Sequence, residues 1–268
     1  MKAYFATFLK YKYLLQNLIG RDLKVKYRRS TLGLLWSVLN PLLMAVVISI
    51  VFQNFFRVAV SNFAVYYLTG SLIFNFMTEA TSAAMVSIVG NAPLIKKVYI
   101  PKYIFPLEKV MFSFVNMLFS MIALVIMMAV TKLGLIGSAA DLNISWTILL
   151  FFIPMIYTLV FSLGLGLILA AINVYFRDVG HLYSVWTMAW MYLTPIIYPI
   201  DMVKDHWVMN IIRLNPMYYF VTYFRNLMME GTMPGLKINL LCMGISLLFL
   251  VLGLWVFKKK QDRFILFI

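Results

Sequence analysis

The chain has 268 residues, is 63% hydrophobic and only 12% charged, and carries a net charge of +14 at a mean hydropathy of +0.91. A soluble domain is about 45–50% apolar and about 25% charged, so this composition excludes a soluble fold and leaves a polytopic membrane protein. The cations flank apolar runs, where they face anionic lipid, so the charge excess does not indicate nucleic acid. Cys242 is the single cysteine, which excludes a disulfide framework and a cysteine-based metal site.

Lys2, Lys10, Lys12, Arg21, Lys24, Lys26, Arg28 and Arg29 form a basic N-terminal block. The apolar stretch after it is too long for a cleavable signal peptide and lacks a small-residue cleavage site. Over residues 14–29, Leu15, Leu18, Ile19 and Leu23 recur at helical spacing while Arg21, Lys24 and Arg28 lie off that stripe. The pattern predicts a helix lying in the membrane interface; a solvated basic tail would leave the stripe unburied.

Residues 33–56 contain no Asp, Glu, Lys or Arg. At about 1.5 Å per residue such a run crosses a hydrocarbon core of about 30 Å. Further spans are expected over 63–89, 110–130, 146–175, 182–200 and 240–257, making six. The intervening pieces 1–32, 90–109, 176–181 and 258–268 hold 17 of the 23 Lys and Arg residues, and 57–62, 131–145 and 201–239 hold the other 6. The cation bias places both termini in the cytoplasm, whereas an odd number of spans would leave Lys258, Lys259 and Lys260 outside.

Residues 201–235 are rich in aromatics and contain Pro216, Pro234, Arg213, Arg225 and Glu230. They read as one or two short helices either re-entering the outer leaflet or resting on the outer surface. The expected fold is therefore an all-α membrane protein: six transmembrane helices, an N-terminal interfacial helix, external re-entrant helices before the last span, and both termini cytoplasmic. One domain, 1–268, divides into an interfacial segment (1–32), the spans (33–257, with 201–235 external) and a cytoplasmic tail (258–268).

There is no phosphate-binding loop and no His-Glu-x-x-His, and His181 and His206 fall on opposite sides of the expected membrane. Neither a resident metal nor a catalytic centre is expected. Intramembrane charge is confined to Glu79, next to Thr78, Thr81 and Ser82, which could hydrogen-bond it; a pore-facing role is the alternative. A chain without buried ion-coupling groups is either a passive channel or driven by another subunit.

The segment from Arg21 to Pro41, RDLKVKYRRSTLGLLWSVLNP, resembles the entry segment of permease subunits of type-2 ABC exporters, in the branch that exports O-antigen, capsular polysaccharide and teichoic acid. Three later segments agree in order and position: NAPLIKKVYIP from Asn91, NVYFRDV from Asn173, and LNPM from Leu214. The likeness covers essentially the whole chain.

The resemblance implies a homodimer in a bacterial cytoplasmic membrane, with two separate ATP-binding cassette subunits that use ATP and Mg. It implies a lipid-linked polysaccharide as cargo. It assigns ATPase coupling to the loop carrying Asn91, Pro93, Leu94, Ile95, Lys96 and Lys97, with a smaller contact at Arg177 and Asp178. It places Leu32 and Gly33 at a cytoplasmic gate.

The residues themselves leave alternatives open. Loop 91–102 could dock a partner through Leu94 and Ile95 with Lys96 and Lys97, or touch lipid headgroups. Arg177 and Asp178 could pair locally. Gly33 suits a bend or close helix packing. Tyr66, Tyr67, Phe74, Trp186, Trp190, Tyr192 and Tyr198 could line a sugar path by stacking, or serve as belt and packing residues. Gly164, Gly166, Ala170 and Ala171 read as a close-packing face.

Overall fold

The structure is a computed structural model that describes residues 2–28, 30–54, 60, 62–139 and 141–268. Arg29, Arg57 and the expected end of the first span at residue 56 lie outside the described residues. Among those described the chain is helical and contains no strand. Its α-helices are α1 (Lys2–Tyr27), α2 (Trp36–Asn54), α3 (Phe63–Gly90), α4 (Ala92–Lys97), α5 (Ile104–Lys132), α6 (Phe152–Asn173), α7 (Val179–Tyr192), α8 (Val208–Leu214), α9 (Pro216–Arg225) and α10 (Leu236–Lys260).

Among the described residues five stretches are long and apolar enough to cross a membrane: Gly33–Gln53, Phe63–Gly90, Ile104–Lys132, Trp146–Asn173 and Leu236–Leu266. The expected span over 182–200 is not one helix. Its helical part, α7, has 14 residues, a rise of about 21 Å, and residues 193–199 continue as turns. Pro195 and Pro199 explain the stop, since proline lacks the donor a continuing helix needs.

α3 is the hub, packing against α2, α5, α6, α7 and α9. Of its spanning stretch 61% is buried, against 6% for the stretch of α2, which therefore lies at the periphery. α6 and α10 run parallel. Near their starts Tyr157 OH donates to Asn239 Oδ1, in their middles Gly164 meets Phe249 and Gly253, and at their ends Val174 and Phe257 share one apolar cluster. A Cβ on Gly164 would lie 2.3 Å from the Phe249 backbone, and one on Gly166 would lie 2.8 Å from Ala84 Cβ of α3. The expected small-residue face is thus two faces, because residues two apart on a helix point in nearly opposite directions.

That apolar cluster joins Leu15 and Leu18 of α1 to Ile95 of α4, Ile104 and Phe105 of α5, Val174 and Phe257, and Phe264 beyond α10. Leu15 and Leu18 of the α1 stripe are therefore buried in protein, with Ile19 packed against them, and α1 starts earlier than the expected 14–29, at Lys2. At the opposite end Asn62 and the Ser138 backbone exchange two hydrogen bonds of 3.0 and 2.9 Å, and the Asn143 N–H donates to Met229 O at 3.0 Å.

The segment after α10 is not a free tail. It forms a 3-10 turn (Gln261–Leu266) whose Phe264 is fully buried against Phe257 and Tyr175.

α9 is strongly one-sided and buries Met217, Phe220, Val221, Tyr223, Phe224 and Arg225 within the bundle. Asn215 caps it, accepting from the Met217 N–H at 2.9 Å. The same oxygen accepts from Trp190 Nε1 at 2.6 Å, and the amide nitrogen donates to Leu193 O at 3.1 Å and Thr194 Oγ1 at 2.9 Å. Asn215-Pro216 therefore starts one helix and pins the end of another.

Candidate functional site

A groove of about 920 Å³ opens between the end of α1, α2, α3, α5 and the turns after α7. Among the described residues Lys26 and Glu79 are its only charged lining residues, and along its length it carries the uncharged polar groups Ser37, Asn40, Ser71, Asn75 and Ser120 among apolar side chains. Asparagines and serines inside apolar helices need polar partners or water, which this lining suits better than contact with acyl chains.

Its charged end is tied by one network. Lys26 Nζ lies 3.2 Å from Glu79 Oε1, and Asn116 Nδ2 donates to the same oxygen at 3.2 Å. Tyr27 OH donates to Asn116 Oδ1 at 2.5 Å and accepts from Ser37 Oγ at 2.5 Å. Glu79 thus faces the groove, and its partners are not the expected neighbours on its own helix. Thr81 Oγ1 pairs with Met77 O and Tyr183 OH, each at 2.6 Å, and Thr78 Oγ1 is buried without a partner. Adjacent residues on a helix face different sides, which is why Thr78 cannot reach the carboxylate. Glu79 itself is exposed to the groove, whereas two charges outside the expected spans, Glu108 and Arg225, are buried.

Gly33 begins the turn from α1 to α2 at φ +46°, and nothing closer than 3.9 Å surrounds a Cβ there. The glycine is required by the left-handed backbone of the bend and not by close packing. Leu32 beside it is exposed.

α1 is anchored to α5 by Asp22, which pairs with Lys109 and, at 2.8 Å, with Arg21. Burial raises the Asp22 carboxyl, but the hydrogen bonds from Lys109 and Arg21 outweigh it and hold it below its ordinary 3.8. A depressed folded value contributes stability above the unfolded value that is lost as pH falls through the folded one. The α1 contact is therefore expected to hold at neutral pH and loosen below about pH 4. Asp22→Asn should cost about 1 kcal/mol at neutral pH and flatten that dependence. Hydrogen exchange of the α1 amides between pH 3 and 7, corrected for intrinsic rates, checks both.

The loop at 91–102 contains α4, capped by Asn91 O, which accepts from the Leu94 and Ile95 N–H groups at 3.0 Å. Ile95 is buried in the cluster that holds α1, and Leu94 packs against it. The apolar face expected to be offered outward thus anchors α4 to its own chain. Pro93, Lys96, Lys97, Val98 and Tyr99 point outward instead, Tyr99 being 92% exposed. Tyr99 O also accepts from Tyr11 OH at 3.4 Å, linking the loop to α1. Arg177 and Asp178 are exposed, and among the described residues they form no ion pair with each other.

The seven aromatics separate. Tyr67 and Tyr192 line the groove. Tyr66, Phe74 and Trp190 are buried and do not line it: Phe74 and Trp190 meet edge-on, and Tyr66 OH donates to Tyr198 O at 2.9 Å while its ring lies 3.5 Å from the Arg225 guanidinium. Tyr198 OH donates to Tyr192 O at 2.8 Å, and Trp186 is exposed on α7. Asn40, Asn75, Asn116 and Tyr99 escaped the sequence reading. The signal for the first three was available, since each is an uncharged polar residue inside an apolar run.

A family model described as "ABC-2 type transporter" matches residues 13–229. The O-antigen export system permease protein RfbA of Klebsiella pneumoniae is 32% identical over 253 residues, covering 94% of this chain and 93% of that protein. The protein of the same description from Myxococcus xanthus is 28% identical over 256 residues, covering 95% of each. The capsule polysaccharide export inner-membrane protein CtrC of Neisseria meningitidis serogroup A is 25% identical over 218 residues, covering 78% of this chain and 76% of the relative.

Proposed function

The chain belongs to the ABC-2 type transporter family, and on that premise we propose that it is the single-domain membrane subunit of an ATP-driven exporter of lipid-linked polysaccharide in a bacterial cytoplasmic membrane. The observation that carries this reading is the groove, which away from the Lys26–Glu79 pair at one end is bounded by uncharged amides, hydroxyls, apolar side chains and the rings of Tyr67 and Tyr192. Sugars offer hydroxyls and C–H faces and no charge, and a sliding polymer needs many weak contacts rather than one tight pocket. The relatives named for O-antigen and capsule export agree in cargo class.

In this reading the chain crosses six times with both termini cytoplasmic. Two observations support that. α1 and the C-terminal segment share one apolar cluster at one end of the bundle, as an even number of crossings would give. α6 and α10 are parallel, so in this reading α7 with its following turns brings the chain back between them, while α8, α9 and the π-turn (Asn226–Glu230) would re-enter from outside.

Two copies would face each other across their grooves. Two ATP-binding cassette subunits, holding ATP and Mg, would dock on α4 and the Arg177-Asp178 turn. Movement of α4 would pass to α1 through Ile95 and Tyr99, and from α1 into the turn at Leu32 and Gly33, which lies in the chain between the groove residues Tyr27 and Trp36.

Exchanging Lys96 and Lys97 for glutamate is expected to preserve folding and reduce export at least tenfold while ATP hydrolysis continues, because the charges lie outside the core. Surface polysaccharide in a cell lacking the native chain, alongside ATPase rates of the purified complex, checks this. Unchanged export would refute the coupling role. Export of a different cargo with normal coupling would refute the cargo and leave the mechanism.

A further inference from the structure

A second cavity, of about 400 Å³, lies at the end of α10 and is lined by Tyr175, Lys259, Lys260, Arg263, Leu266 and Phe267. We propose that it binds the phosphate headgroup of an anionic membrane lipid. This inference rests on the chain's membrane placement and not on the identity of its cargo.

The floor is rigid. Tyr175 OH donates to Lys260 O at 3.1 Å, and its ring meets Phe267 at 4.8 Å. Lys102 Nζ donates to Gln261 O at 2.7 Å, holding the returning turn from the other side. Phe264 is fully buried beneath. A solvated tail would not spend this packing on ordering eight residues; a built cleft does.

The charge is one-sided. Lys259, Lys260 and Arg263 are all exposed, and Asp262 is the one carboxylate on that turn. Three cations gathered at one cleft repel each other unless an anion sits among them. The apolar half of the site selects the source of that anion. Leu266 is 78% exposed beside the cations, which suits an amphiphile and not a free ion.

Position completes the argument. One and two turns before the cleft, α10 exposes Val251, Leu254 and Trp255, a lipid-facing wall. Lys259 Nζ sits 5.2 Å from the Trp255 ring. An interfacial tryptophan with a lysine over it marks headgroup depth, so acyl chains would run along α10 while the phosphate reaches the cleft.

The full chain, purified from membranes with its partner subunits, can be titrated with phosphatidylglycerol and read by native mass spectrometry. Phosphatidylcholine serves as the uncharged control and inorganic phosphate as the soluble anion. The triple variant Lys259→Gln, Lys260→Gln, Arg263→Gln is expected to weaken phosphatidylglycerol binding at least about tenfold. Lys237→Gln, at the other end of α10, should not change it. Arg263→Gln alone should give a smaller loss, which keeps the test valid should the triple variant misfold. Undiminished phosphatidylglycerol binding in the variants, or equal loss for both lipids, would overturn the site. So would complete competition by inorganic phosphate, or a variant that binds lipid normally but sheds its partner subunits.

Discussion

Asn215→Ala is expected to destabilise the protein by about 3 kcal/mol, since each stranded buried polar group costs about 1–3 kcal/mol. The side chain is 7% exposed and makes four hydrogen bonds, to Trp190 Nε1, Met217 N, Leu193 O and Thr194 Oγ1. Thr194 keeps its bond to Trp190 O at 2.8 Å, so three groups are left without these partners. Part of the cost is the lost helix cap, worth about 1 kcal/mol.

The consequence reaches the groove, because Tyr192, Ile196 and Ile197 line it directly after the helix that Asn215 pins. Export should fall with stability. A cycle with Trp190→Phe isolates the mechanism: removing the indole N–H should make the double variant about 1 kcal/mol less damaged than the sum of the singles. Denaturation of the purified proteins in mixed micelles measures this, and strict additivity would show that the indole bond carries no energy.

Gly164→Ala should be nearly as damaging, for a different reason. The new methyl would sit 2.3 Å from the Phe249 backbone, where no rotamer change can relieve it, so α10 must move away from α6. Overpacking of this kind costs about 1–3 kcal/mol. Gly253→Ala meets the Gly164 carbonyl at 2.3 Å and should behave alike, while Gly244→Ala, with nothing within 4 Å, should be tolerated. The single cysteine reports the outcome. Cys242 lies buried on α10 and should resist maleimide in the unaltered protein. Labelling should rise in the two damaging variants and stay low in Gly244→Ala. An unlabelled, unshifted Gly164→Ala would mean that the two helices are not in backbone contact.

Much of the architecture is written in local pattern. Five long spans and the α1 stripe announce themselves because an apolar run of sufficient length has no soluble alternative, and because a helix repeats its faces every few residues. Asn215-Pro216 stands out as part of the LNPM segment that carries the family resemblance, although its work in holding Trp190 does not. The return between α6 and α10 was misread as one plain helix, since hydropathy averages over Pro195 and Pro199 without registering the broken backbone they impose.

What the amino-acid sequence determined by itself is membrane residence, the order of the long helices and the family. Those properties depend on composition and on neighbours along the chain. What only the tertiary structure decided is which side chains meet: Glu79 with Lys26 and Asn116, Ile95 turned inward while Tyr99 faces out, Gly164 and Gly166 serving different helices, and Tyr67 and Tyr192 separated from the buried Tyr66, Phe74 and Trp190. Each of these pairs residues far apart in the chain or distinguishes near neighbours by the face they present. Helices that are apolar on nearly every side carry little record of which face will be buried, so the packing of the bundle had to supply it.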